Sequence, residues 1–216
     1  MTFMDEVVKQ NIPIWEKCAV TPFIKDLQTG TLPEEKFKQY MIQDSIYLKN
    51  YARAYGMAIY RSANLKDIQM YYSILSFVTD GESLVRLSYL KQFGLTDEEI
   101  EYIKPLPENQ KYIDFLQQTA QRGNDCDILM AVMTCMLSYS YIFRKIAAAQ
   151  NIAESRYSDF IQDYAEEQYF ENCKIWCAFA DSKCNALPQC EREKLSSIFK
   201  TGSLLELAFW EMAYRD

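Results

Sequence analysis

The chain has 216 residues, of which 49% are hydrophobic and 25% are charged, as is typical of one globular domain with a sizeable core. Its net charge of −7 argues against nucleic acid or an anionic membrane as a partner, since both favour a basic surface. It contains no histidine, which excludes Ser–His and Cys–His catalytic pairs, haem ligation by a proximal histidine and Glu-x-x-His di-iron sites.

The N-terminal part of the chain has the hydrophobic spacing of helices. An amphipathic helix is predicted from about residue 3 to 18, with Pro13 marking a kink or break. A short helix follows Thr21-Pro22 and ends near Gly30. The segment Thr31-Leu-Pro-Glu-Glu35 has the residues of a helix N-terminus and predicts a long helix that ends near Ser62.

The remainder of the chain continues the helical pattern. A long helix is predicted from about 64 to 93, before Gly94, and a short one is capped by Thr96 and ends before Pro105. Further helices are predicted at about 107–121, 126–150, 155–181 and 188–214. No alternating run predicts a β-strand. The sequence therefore predicts an all-α fold, a single-domain helical bundle over residues 1–216.

The N-terminal residues, the apolar stretches and the cysteines indicate the cellular compartment of the protein. Residues 1–8 lack the basic and apolar regions of a signal peptide, and no apolar stretch approaches the roughly 18 residues that span a bilayer. The seven cysteines show neither a disulfide framework nor the Cys-x-x-Cys spacing of structural zinc. We therefore expect a cytoplasmic protein in a reducing environment, with no membrane partner.

Two carboxylates stand where a core helix would favour an apolar residue. Asp44 shares one helix face with Tyr47 and Tyr51, and Glu206 lies one turn before Trp210. A buried carboxylate without partners is energetically costly, so such groups are normally paired, hydrogen-bonded or functional. The spacing alone leaves the structural and the functional interpretation of each acid equally open.

Cys135 lies in the apolar run 131–139, with Tyr139 one helical turn later on the same face. A single thiol in such a run is usually a small hydrophobic core residue. If its helix converges with those of Asp44 and Glu206, the three helices enclose a thiol, two carboxylates and several phenols in a mostly dry pocket. That combination predicts covalent chemistry without an imidazole.

Three segments in register resemble the TenA/thiaminase II family. They are Gln43-Asp-Ser-Ile-Tyr-Leu48 after Gly30-Thr-Leu-Pro33, Cys135 with Tyr139, and Glu206-Leu-Ala-Phe-Trp-Glu-Met-Ala-Tyr214. The resemblance extends over essentially the whole chain, and Cys135 is typical of the family's thiol-containing class. It implies a haem-oxygenase-like helical fold that binds no haem, needs no metal or other cofactor, and assembles as a homotetramer.

The resemblance also implies an activity. Family members hydrolyse thiamin, or 4-amino-5-aminomethyl-2-methylpyrimidine, to the hydroxymethyl pyrimidine used in thiamin salvage. It implies that Cys135 is the nucleophile, that Glu206 donates and accepts protons, and that Asp44 holds the ring-nitrogen edge of the substrate. Four tyrosines are expected to hydrogen-bond to the heterocycle or stack on it: Tyr47, Tyr112, Tyr139 and Tyr164.

Several alternatives remain open at this level. The thiolate of Cys135 could form by proton transfer to a carboxylate or be stabilised by a helix N-terminus. The protein could also be a non-catalytic pyrimidine-binding or regulatory protein on the same fold. An oxygen-using metal or quinone-forming enzyme is disfavoured because such relatives depend on histidine. The preferred substrate, thiamin or the aminopyrimidine, is not predicted.

Overall fold

The computed structural model describes residues 1–77, 79, 82–148 and 152–215. Within these ranges the chain forms helices joined by short loops and contains no β-strand, which confirms the predicted all-α class. The helices are α1 (Phe3–Ala19), α2 (Pro22–Thr29), α3 (Glu34–Arg61), α4 (Leu65–Ser76), α5 (Glu82–Gln92), α6 (Asp97–Ile100), α7 (Pro107–Arg122), α8 (Asp125–Ala147), α9 (Ser158–Ala165), α10 (Glu167–Cys184) and α11 (Gln189–Met212), with a 3₁₀ turn at Ile152–Glu154.

Helix α1 continues through Pro13, so the break that this residue could have caused does not occur. A proline inside a helix removes one backbone hydrogen bond to the carbonyl four residues earlier. Pro13 and Lys9 are both exposed, so that carbonyl lies on the solvent side of the helix. On the other side, Trp15 Nε1 donates a hydrogen bond to Ser203 Oγ at 3.1 Å, which joins α1 to α11.

Two predicted long helices each correspond to two helices in the structure. The segment 64–93 contains α4 and α5, and residues 78, 80 and 81 between them lie outside the described residues. The segment 155–181 is divided between α9 and α10, because Glu166 adopts an extended backbone with φ −55° and ψ 144°. No glycine or proline marks this break, so the hydrophobic spacing predicts one continuous helix through it.

Helix α8 is the central helix of the bundle and packs against α1, α3, α7, α9, α10 and α11. Among the described helices it is the one whose length and composition would suffice to cross a bilayer, contrary to the expectation that no stretch approaches that length. However, 83% of its most apolar window is buried inside the fold, which accounts for its composition. It ends at Ala147, earlier than predicted, and residues 149–151 lie outside the described residues.

The close approach of α8 and α11 depends on Gly202. A Cβ atom at this position would lie 2.6 Å from Thr134 Oγ1 and 3.0 Å from Thr134 Cβ. Such distances leave no room for a side chain in a close-packed interior. Thr134 is next to Cys135, and Gly202 lies one turn before Glu206, so this contact holds both predicted catalytic residues near one helix interface.

A buried amide pair joins α3 to α7. Gln43 Oε1 accepts hydrogen bonds from the backbone N–H of Leu106 and from Asn109 Nδ2, both at 2.9 Å. Asn109 Nδ2 also donates to the backbone carbonyl of Gln43 at 2.8 Å. Buried hydrogen bonds between two helices favour one register between them. This pair therefore fixes Asp44 and Tyr112, its neighbours on the two helices, relative to each other.

Candidate active site

Helices α3, α8 and α11 bring Asp44, Cys135 and Glu206 into one buried cluster. Tyr139 lies among these groups: burial raises its pKa above the usual tyrosine value, and neighbouring ionisable groups raise it further. These neighbours are Tyr40, Asp44, Glu206 and Cys135. Because such effects fall with distance, all four groups lie near the same phenol.

The Glu206 carboxyl is the most buried acid of the cluster, with 2% of the residue exposed. Burial raises its pKa from 4.5 to about 8, and the charge of Asp44 adds to this rise. Two hydrogen bonds oppose the rise by stabilising the carboxylate. The larger effect comes from Tyr112, whose hydroxyl donates to Glu206 Oε1 at 2.7 Å, and the smaller from Cys135.

The Cys135 thiol is partly buried and hydrogen-bonds to the Glu206 carboxylate, which lowers the pKa of that acid. Cys135 lies well inside α8, whose N-terminus is at Asp125. The helix N-terminus is therefore too remote to stabilise the thiolate, because that effect is confined to the first turn. The contact with Glu206 is the feature of the site that bears on the other route, proton transfer to a carboxylate.

Asp44, on α3, is 7% exposed. Burial raises its pKa to about 7, and the positive charge of Arg86 works in the other direction. The Arg86 guanidinium donates hydrogen bonds to Ser45 Oγ at 2.8 Å and to Asp97 Oδ1 at 2.9 Å. With this pKa, Asp44 gains or loses its proton near neutral pH.

Tyr139 is held by a second phenol, Tyr40. Their hydroxyl oxygens lie 2.9 Å apart and share a hydrogen bond. The Tyr40 ring stacks on Trp210, with centroids 5.3 Å apart and planes at 11°. Tyr139 itself lies 5.1 Å from Trp210. These contacts form an aromatic wall on one side of the acids and the thiol.

Tyr47 and Tyr112 form a second aromatic pair beside Glu206, with ring centroids 4.7 Å apart. The Tyr47 hydroxyl is buried and makes no hydrogen bond of ordinary geometry with the described residues. It lies near enough to Tyr112 to oppose the rise that burial causes in the pKa of that phenol. A buried hydroxyl without a partner is costly, so Tyr47 offers an unused donor and acceptor to a bound molecule.

Tyr164 is more peripheral than the other predicted residues. It lies on α9, is 6% exposed, and reaches the cluster through its ring contact with Tyr139 at 5.0 Å. Its other ring neighbours include Tyr169 on α10, at 5.6 Å. The break at Glu166 allows these two tyrosines, from differently directed helices, to meet.

Two residues that the sequence analysis did not assign to the site contribute to it. Tyr40 holds Tyr139, and its position four residues before Asp44 on the same helix face was an available signal. Asn109 orients the helix of Tyr112 through its bonds to Gln43. Its role depends on a contact between distant segments, which local spacing does not reveal.

A family model described as TENA/THI-4/PQQC matches residues 8–216. The chain belongs to this family. An aminopyrimidine aminohydrolase from Halalkalibacterium halodurans is 30% identical to it over 217 residues, covering 100% of this chain and 97% of the relative.

Solved structures agree with the TENA/THI-4/PQQC assignment. A TenA homologue from P. horikoshii OT3 superposes with a TM-score of 0.88 and 29% identity, covering 100% of this chain and 99% of that one. Haem oxygenase-1 from the cyanobacterium Synechocystis sp. PCC6803 superposes with a TM-score of 0.65 at 12% identity, covering 99% and 93%. The predicted haem-oxygenase-like fold is confirmed.

Proposed function

We propose that this protein is an aminopyrimidine aminohydrolase. Its substrates are 4-amino-5-aminomethyl-2-methylpyrimidine and thiamin, from which it releases hydroxymethyl pyrimidine for thiamin salvage. The observation that carries the proposal is the hydrogen bond between the Cys135 thiol and the buried Glu206 carboxylate, beside a second acid, Asp44. The name of the Halalkalibacterium halodurans relative supports the same activity.

The first half of the reaction uses the thiol. The bond to be cut joins a methylene on an aromatic ring to nitrogen, and direct displacement there is slow. Cys135 Sγ therefore adds to the ring carbon beside the substituted position, and its proton passes to the Glu206 carboxylate. The addition breaks aromaticity, so the amine departs as ammonia with the proton from Glu206, leaving an exocyclic methylene.

The second half restores the enzyme. Water adds to the exocyclic methylene and gives a proton to the Glu206 carboxylate. The carbon–sulfur bond then breaks, the ring regains aromaticity, and Glu206 returns the proton to Cys135. A carboxyl group with a pKa of about 8 exchanges protons readily in both directions near neutral pH, as these steps require.

Asp44 and the tyrosines bind the ring in this proposal. Asp44 holds a ring nitrogen in its protonated, electrophilic form through a charge-assisted hydrogen bond. The unpaired Tyr47 hydroxyl hydrogen-bonds to the substrate, and Tyr112 orients Glu206. Tyr139 and Tyr164 stack on the flat heterocycle.

The test compares Cys135→Ser with the wild type and with Cys190→Ser, a control at an exposed thiol on α11. Ammonia release from the aminopyrimidine is followed together with pyrimidine binding by calorimetry. Cys135→Ser should lose turnover and retain binding, whereas Cys190→Ser should behave as the wild type. Full turnover by Cys135→Ser would refute the covalent mechanism.

Measurements on the wild type distinguish the enzyme from the non-catalytic alternative. A protein that binds the pyrimidine without releasing ammonia would be a binding or regulatory protein. Comparing kcat/KM for thiamin and the aminopyrimidine would identify the physiological substrate. The homotetramer is proposed from family resemblance, and light scattering that detects a monomer would contradict it.

A further inference from the structure

A groove on the side of α8 that faces away from the candidate active site is lined by α1, α8 and α10. Its volume is about 840 Å³, within the range of roughly 300–1,000 Å³ typical of small-molecule sites. None of the predicted catalytic or substrate-binding residues lines it. The apolar side chains of its wall are Met4, Val8, Ile12, Trp15, Leu137 and Phe170.

A buried hydroxyl in this groove has no partner. Ser140 is 4% exposed, lines the groove, and makes no hydrogen bond with the described residues. A helical serine often donates to the carbonyl four residues earlier. Here that carbonyl belongs to Met136 and accepts a contact from Cys173 Sγ at 3.9 Å. The Ser140 hydroxyl is therefore available to a molecule in the groove.

The charges of the groove are divided between its two ends. Arg144 and Lys174 both lie over the Phe170 ring, at 4.1 and 4.4 Å from its centroid. Asp181 lies at the opposite end, where its carboxylate accepts a hydrogen bond from the backbone N–H of Met4. One end of the apolar wall is thus cationic and the other acidic.

The cations are not neutralised by buried acids. Arg144 pairs with Glu167, whose side chain is 68% exposed, and Lys174 pairs with Glu171, whose side chain is 48% exposed. Such exposed pairs contribute little and exchange partners easily. Lys9 is an exposed cation that also lines the groove, on its α1 wall.

The groove is suited to binding rather than to covalent chemistry. Its partly exposed thiol, Cys177, has a pKa raised to about 12 by burial and by the charge of Asp181. A thiol of that kind is not a nucleophile at neutral pH.

We propose that this groove binds an organic anion with an apolar body. The body lies on the apolar wall, and an oxygen of the ligand accepts a hydrogen bond from Ser140. The anionic group lies at the Arg144 and Lys174 end, and Lys9 adds positive charge to the same groove. This site is separate from the catalytic cluster and does not depend on the proposed activity.

The experiment uses 8-anilinonaphthalene-1-sulfonate fluorescence on the full chain, with displacement by decanoate or by decyltrimethylammonium. Decanoate should displace the dye at about tenfold lower concentration than the cation of equal chain length, a difference of about 1.4 kcal/mol. Lys9→Glu should weaken decanoate binding by about tenfold. Lys17→Glu, an exposed lysine on the same helix outside the groove, is the matched control and should bind as the wild type.

Ser140→Ala should weaken decanoate binding several-fold without lowering the melting temperature of the ligand-free protein, since the hydroxyl has no partner to lose. Equal displacement by both amphiphiles, or unchanged decanoate affinity in Lys9→Glu and Ser140→Ala, would overturn the proposal. A third outcome would also overturn it: the wild type binds no dye, whereas Lys9→Glu binds dye and sediments as separated subunits. That result would mean that another copy of the chain fills the groove in the wild type.

Discussion

Replacing Glu206 with glutamine tests whether this carboxyl group is buried in its neutral form. In the folded protein its pKa is about 8, against 4.5 ordinarily, so the folded state binds this proton more tightly than the unfolded state does. The stability that follows is fully present below about pH 4.5 and is lost as the pH rises through about 8. Glutamine does not ionise and can still accept the Tyr112 hydrogen bond.

The magnitude follows from the two pKa values. At about 1.4 kcal/mol per pH unit, ionisation of Glu206 should cost the folded wild type on the order of 4 kcal/mol more at pH 9 than at pH 5. Urea unfolding at both pH values should therefore show Glu206→Gln gaining that much stability relative to the wild type between pH 5 and pH 9.

The matched control is Glu211→Gln, which removes a carboxyl group from the exposed side of the same helix. A stability difference for Glu206→Gln that is the same at pH 5 and pH 9 would refute the reasoning. It would mean that the carboxyl group is solvated in the folded protein.

Two further substitutions test the surroundings of the site. Tyr112→Phe removes a hydrogen bond that lowers the Glu206 pKa, and Glu206 must be ionised to accept the Cys135 proton. The acidic limb of the pH profile of kcat should therefore move to higher pH, and an unmoved limb would contradict the assignment. Gly202→Ala should reduce the free energy of unfolding by roughly 1–3 kcal/mol in urea titrations, since its Cβ would collide with Thr134. Gly56→Ala is the control, because a Cβ added at this position in α3 would have no atom within 4 Å. It should raise the free energy of unfolding by up to about 1 kcal/mol. Equal effects of the two substitutions would argue against the α8–α11 contact.

The helical class was predictable because apolar spacing, caps and scarce glycine all indicate helices. The joint at Glu166 was not, since an extended backbone there is imposed by packing and carries no local signal. The continuity of α1 through Pro13 is likewise explained by exposure, a property that the sequence alone does not report.

The candidate site was predictable to the extent that its residues lie on apolar helix faces. The tyrosine stripe beside Asp44 indicated an inward acid, and the structure buries it. The partners of each group were not predictable, because the contact of Glu206 with Tyr112 and Cys135 joins segments far apart in the chain. The catalytic roles of these residues stay predictions until the substitutions are measured.

The two buried acids also affect how ligand binding must be measured. Asp44, with a pKa of about 7, and Glu206, with a pKa of about 8, are only partly ionised at neutral pH, so the formal charge of −7 overstates the negative charge of the folded chain. A heterocycle that hydrogen-bonds to either acid shifts its ionisation, and protons then pass to or from the buffer. The observed heat of binding should consequently differ between phosphate and Tris, and the slope against buffer ionisation enthalpy would count the protons exchanged.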